Sequence, residues 1–301
     1  MSDEAAFLAA IANAPDDDAL RLVYADWLEE HGKPGSNFLR AEHELTVLPL
    51  GQAEWHAAFA RYQSAGKTLS EAWCRAAGRH QAGYWLAVAA RSAWNRIETW
   101  CQRHCPGLVS VFNLGATAEE IDAIERAIGQ TLPTDVRESF AIHNGAGRFL
   151  FGDEMLTAED VVRRWQVWRE VEDYNEEFRD NMKSFPERAI ALAYTVPGWI
   201  PLTSDGGGNH LGVDLTPGPA GTIGQVINFG RDEEHKCVLA SGWAEFLADF
   251  ATFLESGAVS SDNATASAWI DCCRAAMGDR HHHDALREWR QNGRWPPRQS
   301  Q

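Results

Sequence analysis

Apolar positions in the first half of the chain recur at helical spacing. Phe7, Leu8 and Ile11 share one face, which Asn13-Ala14-Pro15 ends. Asp16, Asp17 and Asp18 supply an N-cap and first-turn negative charge. Leu20, Val23, Tyr24, Trp27 and Leu28 then fall on one side of a second helix, which His31-Gly32 stops and Pro34-Gly35 turns. A third short helix is predicted from near Asn37, carrying Phe38, Leu39 and Leu45. Residues 51–105 place Trp55, Trp73, Trp85, Trp94 and Trp100 among alanines and arginines with few turn signals. That pattern predicts two or three amphipathic helices whose tryptophans pack inward.

From Gly107 the texture changes. Thr117-x-x-Glu120 is a capping box opening a helix with Ile121, Ile124 and Ile128. Leu132-Pro133 breaks the chain, and residues 134–142 predict a second short helix before Asn144-Gly145. A strand is expected at 148–151 and a long charged helix at 158–181, carrying Val161, Val162, Trp165 and Trp168. Strand-like runs follow at 189–195, 199–204, 210–216, 224–229 and 237–240, with Pro217-Gly218-Pro219-Ala220-Gly221 suggesting a hairpin loop. A helix at 242–255 presents Trp243, Phe246, Leu247, Phe250 and Phe253. Clustered strands bounded by helices predict an α+β fold: a mostly antiparallel sheet flanked by helices, with helical additions at both ends. The expected domains are a helical module at 1–50, a helical connector at 51–105, the α+β domain at 106–256, and a linker with a helical tail at 257–301. Pro296-Pro297 suggests a disordered end.

Composition narrows the class. With 301 residues, 45% apolar and 23% charged, the chain is globular and long enough for about two domains. It contains no apolar run of about eighteen residues, as a membrane crossing needs. Asp3 and Glu4 replace the basic start of a signal peptide, so a cytoplasmic location is expected. The net charge of −16 is unevenly spread, with 25 acidic against 11 basic residues in 106–256. Such a surface argues against direct nucleic-acid binding and favours a basic protein partner. The six cysteines are scattered and are expected to be free thiols. Cys101-x3-Cys105 around His104 lacks a second ligand pair, so no metal and no cofactor is expected. His281-His282-His283 reads as a solvated loop, because three consecutive residues of a helix cannot all aim at one ion.

Two stretches resemble known families. "RLVYADWLEE", within about residues 1–45, resembles the repeat-companion domain, a short module on many bacterial proteins with no assigned activity. "IERAIGQTLPTDVRESFAIHNGAG", "WIPLTSDGGGNHLGVDLTPGPAGTIGQVINFG" and "VLASGWAEFLADF" follow in order over about 107–255 and resemble the SUKH superfamily. That superfamily includes fungal cell-wall-synthesis regulators and bacterial immunity proteins. The resemblance implies a non-enzymatic protein-binding module, foremost an immunity protein that neutralises a toxin by binding it. A scaffold or signalling adaptor is the alternative. It also implies a concave partner-binding face near Asp205, Asn209 and Asp214. Asn144 and Trp199, the latter partly exposed at the sheet edge, join the candidate contacts, together with Glu172, Asp173 and Glu176 of the charged helix. Each has a plainer reading: Asn144-Gly145 and residues 205–209 have turn chemistry, and an acidic helix face is ordinarily just solvated. A hydrolase using His210 is a further alternative. Against it, the triglycine lacks a following Lys-Ser/Thr, no Gly-x-Ser-x-Gly occurs, and His210 and Asp214 lie about 13 Å apart on a strand. No catalytic residue is therefore assigned.

Overall fold

The computed structural model describes residues 3–50, 53–80, 83–259, 266–278 and 280–293. The chain packs as two units, Met1–Val88 and Ala89–Gln301. The first consists of α1 (Asp3–Asn13), α2 (Asp18–Glu30), α3 (Ser36–Val47), α4 (Ala53–Gly66), α5 (Glu71–Ala77) and the start of α6 (Tyr84–His104). Asp17 caps α2 by accepting from the Leu20 N–H at 3.2 Å. Ile11, Tyr24, Ala25, Leu28, Phe38 and Leu39 close the core of this unit. Val23 departs from the expected face and is 54% exposed. The buried side of α2 is centred on Arg21, Tyr24, Ala25 and Leu28, and a residue two positions from Arg21 and Ala25 lies round the helix from them. Arg21 is tolerated inside because its Nε donates to the Ala77 carbonyl at 3.2 Å.

The second unit holds the rest of α6 and then a 3-10 turn at Pro106–Val111. Next come α7 (Ala118–Ile128), α8 (Thr134–Ile142), β1 (Ala146–Leu150), β2 (Asp153–Met155) and α9 (Ala158–Glu170). The Thr117/Glu120 capping box forms as its spacing predicts. The strands continue with β3 (Lys183–Phe185), β4 (Trp199–Pro201), β5 (Thr203–Ser204), β6 (Asn209–Asp214), β7 (Gln225–Gly230) and β8 (His235–Ala240), and α11 (Trp243–Glu255) packs behind them. A small sheet runs β1-β2-β5, and the main sheet runs β3-β8-β7-β6-β4. The β6–β7 hairpin pairs Asn209 with Gly230 and Asp214 with Gln225, while β3 joins β8 in parallel. Leu211 and Val213 belong to the core built on Phe246, Leu247 and Phe250, whereas Trp199, Ile227 and Phe229 pack with Trp168 and Ile190. Covered on both faces, β6 is buried along its whole length. The fold is α+β, with a mostly antiparallel sheet and helices at both ends.

Three expectations change. The charged helix does not run from 158 to 181. It ends at Glu170 and is followed by a 3-10 turn at Glu172–Tyr174, the short α10 (Asn175–Phe178) and another turn at Arg179–Asn181. Asn175 explains the break, since its Oδ1 accepts from the N–H groups of Tyr194 (2.8 Å) and Thr195 (2.9 Å), and its Nδ2 donates to the Thr195 carbonyl. The same bonds explain why 189–195 is irregular and not a strand. The N–H groups of Ile190, Tyr194 and Thr195 go to side chains, Ile190 donating to Ser184 Oγ at 3.0 Å, and those of Ala189 and Ala193 close local turns on Pro186 and Ala191, so no ladder forms. Finally, the C-terminal helices are part of the main core. α12 (Ala266–Ala276) and α13 (His282–Gln291) bury Trp269, Cys273, Ala285 and Leu286 in it, with Met277 just after α12, and Trp269 Nε1 donates to the Phe149 carbonyl at 2.7 Å. The expected disordered end at Pro296-Pro297 lies outside the described residues.

Candidate functional site

Of the carboxylates that the sequence nominates, two turn inward. Asp214 is wholly buried, accepting from Thr216 N and Gln225 Nε2, each at 3.0 Å, and burial pushes its carboxyl up to about 6. Asp205 organises the β5–β6 turn, taking the Gly207 N–H at 2.6 Å, the Asn209 N–H at 3.0 Å and Asn209 Nδ2 at 2.8 Å. Burial opposes the charge of Asp205, but His281 and these N–H donors overcome it and hold the group below the usual carboxylate range. Asn209 is buried and also accepts from Asp232 N at 2.9 Å. Asn144 Oδ1 accepts from the Ala158 N–H at 2.7 Å, the first of α9, whose N-cap is Thr157, and sits beside Gly145 at φ 76, where an added Cβ would meet the Met155 carbonyl at 2.6 Å.

Trp199 is 1% exposed rather than partly open at the sheet edge. Its ring lies against Phe229 and under the Lys236 ammonium, 5.2 Å from the ring centroid. The second covered face of the sheet encloses it. Asn209, Asp214 and Trp199 are therefore interior to the fold, while Asp205 and Asn144 are tied into local hydrogen bonds and remain partly accessible.

The acidic segment after α9 is different. Glu170, Asp173, Glu176 and Glu177 are exposed, and Glu172 is half-buried in an ion pair with Arg169. Tyr174, among them, is 50% exposed. It begins an aromatic ladder in which Tyr174 meets Phe178 at 6.3 Å, Phe178 meets Tyr194 at 4.9 Å, and Tyr194 meets the buried Trp168 at 5.5 Å. Acidic charge is thus mounted on a surface anchored to the core, with Val167 and Leu192 also exposed.

His210 lacks the surroundings of a catalytic base. It is buried, Nδ1 donates to the Thr203 carbonyl at 2.6 Å, and Trp168 and Phe229 pack on the ring. Burial lowers its pKa to about 4, and among the described residues no carboxylate hydrogen-bonds it.

The three consecutive histidines are not a solvated loop. His281 is the extended N-cap of α13, with His282 and His283 in its first turn. His283 is fully buried, its Nε2 at 3.1 Å from Asp153 Oδ2 and its Nδ1 at 3.0 Å from Glu233 Oε1. Burial pulls its pKa down, but the two carboxylates raise it to about 10. His282 Nε2 bonds the other oxygen of Asp153, while His281 Nε2 reaches Asp205 Oδ2 at 3.3 Å. Three consecutive residues of a helix cannot all converge on one group, but His282 and His283 at a helix end do, because Asp153 offers a separate oxygen to each ring. Asp153 and Glu233, 130 and 50 residues away, were invisible as partners in the sequence. Beside this cluster Arg148, Phe151, Gly152, Asp205, Ile270, Arg274, Arg280, His281 and His282 line a cleft of about 400 Å³.

Residues 115–249 match the SMI1 / KNR4 family (SUKH-1). Among curated proteins the chain is similar to the cell wall biosynthesis/cell cycle regulator smi1 of Schizosaccharomyces pombe. That match is 40% identical over 188 residues, 57% of this chain and 37% of that protein. The glucan synthesis regulatory protein of Neurospora crassa is 31% identical over 242 residues, 68% of this chain and 45% of that protein. The cell wall assembly regulator SMI1 of Saccharomyces cerevisiae is 33% identical over 204 residues, 55% of this chain and 40% of that protein. The chain thus spans less than half the length of these three relatives. All three are named as regulators. No helix among the described residues is long and apolar enough to cross a membrane.

Proposed function

We propose, taking as premise that residues 115–249 are a domain of the SMI1/KNR4 (SUKH-1) family, that this chain is a non-enzymatic regulator acting in the cytoplasm by binding a basic protein. The observation that carries the reading is the exposed acidic segment at 170–177 with Tyr174 on its aromatic ladder. Aromatic side chains backed by packed neighbours anchor interfaces, and exposed carboxylates around them steer a basic partner. Helices α1 to α3 serve as an adaptor, in line with the repeat-companion resemblance at 1–45. In the finer reading the partner is a toxin domain that the chain neutralises. The regulatory names of the relatives favour a second version, in which the partner belongs to a signalling or scaffolding assembly.

The test is affinity capture from host lysate with the chain and with the double variant Glu176→Lys/Glu177→Lys. A basic protein held by the first and lost from the second supports the acidic surface, and equal retention overturns it. Expressing the captured protein alone then separates the two versions. Toxicity relieved by co-expressing this chain supports neutralisation, and its absence supports the regulatory assembly.

A further inference from the structure

We propose that Asp153, His282 and His283 form a binding site for one divalent transition-metal ion of the zinc class. Their ligand atoms all lie within 4.8 Å of one another, supplied by a buried strand-end carboxylate and two adjacent imidazoles at a helix N-terminus. Two histidines with one carboxylate are a donor set suited to zinc, leaving a fourth position open. Zinc ligands at about 2.0–2.2 Å from the ion stand about 3.4 Å apart, so seating the ion needs side-chain adjustment and no rebuilding.

The outer contacts have the arrangement that metal sites use to orient their ligands. His283 presents Nε2 to Asp153, while its Nδ1 is held by Glu233 at 3.0 Å. Glu233 is itself fixed by Asn228 Nδ2 and by Arg287 at 3.6 Å. Thr203 Oγ1 donates to Asp153 Oδ2 at 2.6 Å, orienting the carboxylate. Two carboxylates face two imidazoles here, and with both rings neutral a divalent cation offsets the charge of Asp153 and Glu233. His282 also lines the cleft beside Asp205, which gives the ion a path from solvent. The proposal is independent of the protein-binding reading, and it runs against the absence of metal expected from cysteine and histidine spacing.

The experiment uses the full chain without a polyhistidine tag, stripped with EDTA and titrated with zinc chloride by calorimetry. Cobalt chloride serves as a spectroscopic probe. One equivalent of zinc is expected, displacing a visible cobalt absorption band. His282→Gln, at the edge of the cluster, should keep the native circular dichroism and weaken binding at least about tenfold. His281→Gln should still bind one equivalent. No stoichiometric binding by the folded chain, undiminished binding by His282→Gln, or loss of binding only in His281→Gln would each overturn the assignment.

Discussion

Two sets of carboxylates in the second unit look alike in the sequence and play opposite parts. Asp153, Asp205, Asp214 and Glu233 are turned inward and fully engaged, by His282 and His283, by turn N–H groups, by Gln225 and by Asn228. Glu170, Asp173, Glu176 and Glu177 face solvent beside Tyr174. The net charge of a segment therefore says little about the field a partner meets. Buried acids are neutralised locally and define the fold, while exposed ones are screened but available to steer encounter. The binding face implied by the SUKH resemblance at Asp205, Asn209 and Asp214 moves, in our reading, to the segment after α9.

The largest effect should come from Asp153→Ala. It leaves His282 and His283 without their shared carboxylate, and about 3–5 kcal/mol of stability should be lost in urea titrations in metal-free buffer. A loss under 1 kcal/mol would mean that the cluster is not structural. His210 gives the next effect through pH. Its folded pKa of about 4 lies below the unfolded value, so its contribution is complete above pH 6.5 and lost as pH falls from 6.5 through 4. His210→Gln, which keeps a donor toward Thr203, should flatten that acid slope by up to about 3 kcal/mol. Unchanged acid sensitivity would place the slope on other groups.

Asp205→Arg removes the acceptor of two backbone N–H groups and should cost about 1–3 kcal/mol in thermal or chemical melts. Loss of partner binding in this variant without loss of stability would restore Asp205 to the recognition surface. The smallest stability effect belongs to Glu176→Lys/Glu177→Lys, within about 0.5 kcal/mol. The same variant should slow association with a basic partner by about tenfold in stopped-flow at low salt, and the difference should shrink toward physiological ionic strength, where the Debye length is about 8 Å. Salt-independent association would leave the exposed apolar residues as the grip.

Local signals were legible wherever a few neighbouring residues decide the outcome. The Asp17 cap, the Thr117/Glu120 capping box, the three helices within 51–105 and the β6–β7 hairpin all follow from spacing, because their hydrogen bonds join residues close in sequence. The break after Glu170 was not legible, since it depends on Asn175 meeting the backbone at 194–195, about twenty residues on.

By itself, then, the sequence determined the α+β class, the order of most elements and the excess of acid in 106–256. Which acids are exposed was left to the tertiary structure. Burial depends on what packs against a strand from far along the chain, and no local period records that. Trp199 became an interior ring because Phe229 and Lys236 close over it, and Asp214 became a buried acceptor because Gln225 lies opposite it across the hairpin. His283, dismissed in isolation as loop, became one of the most enclosed ionisable groups because Asp153 and Glu233 converge on its two ring nitrogens.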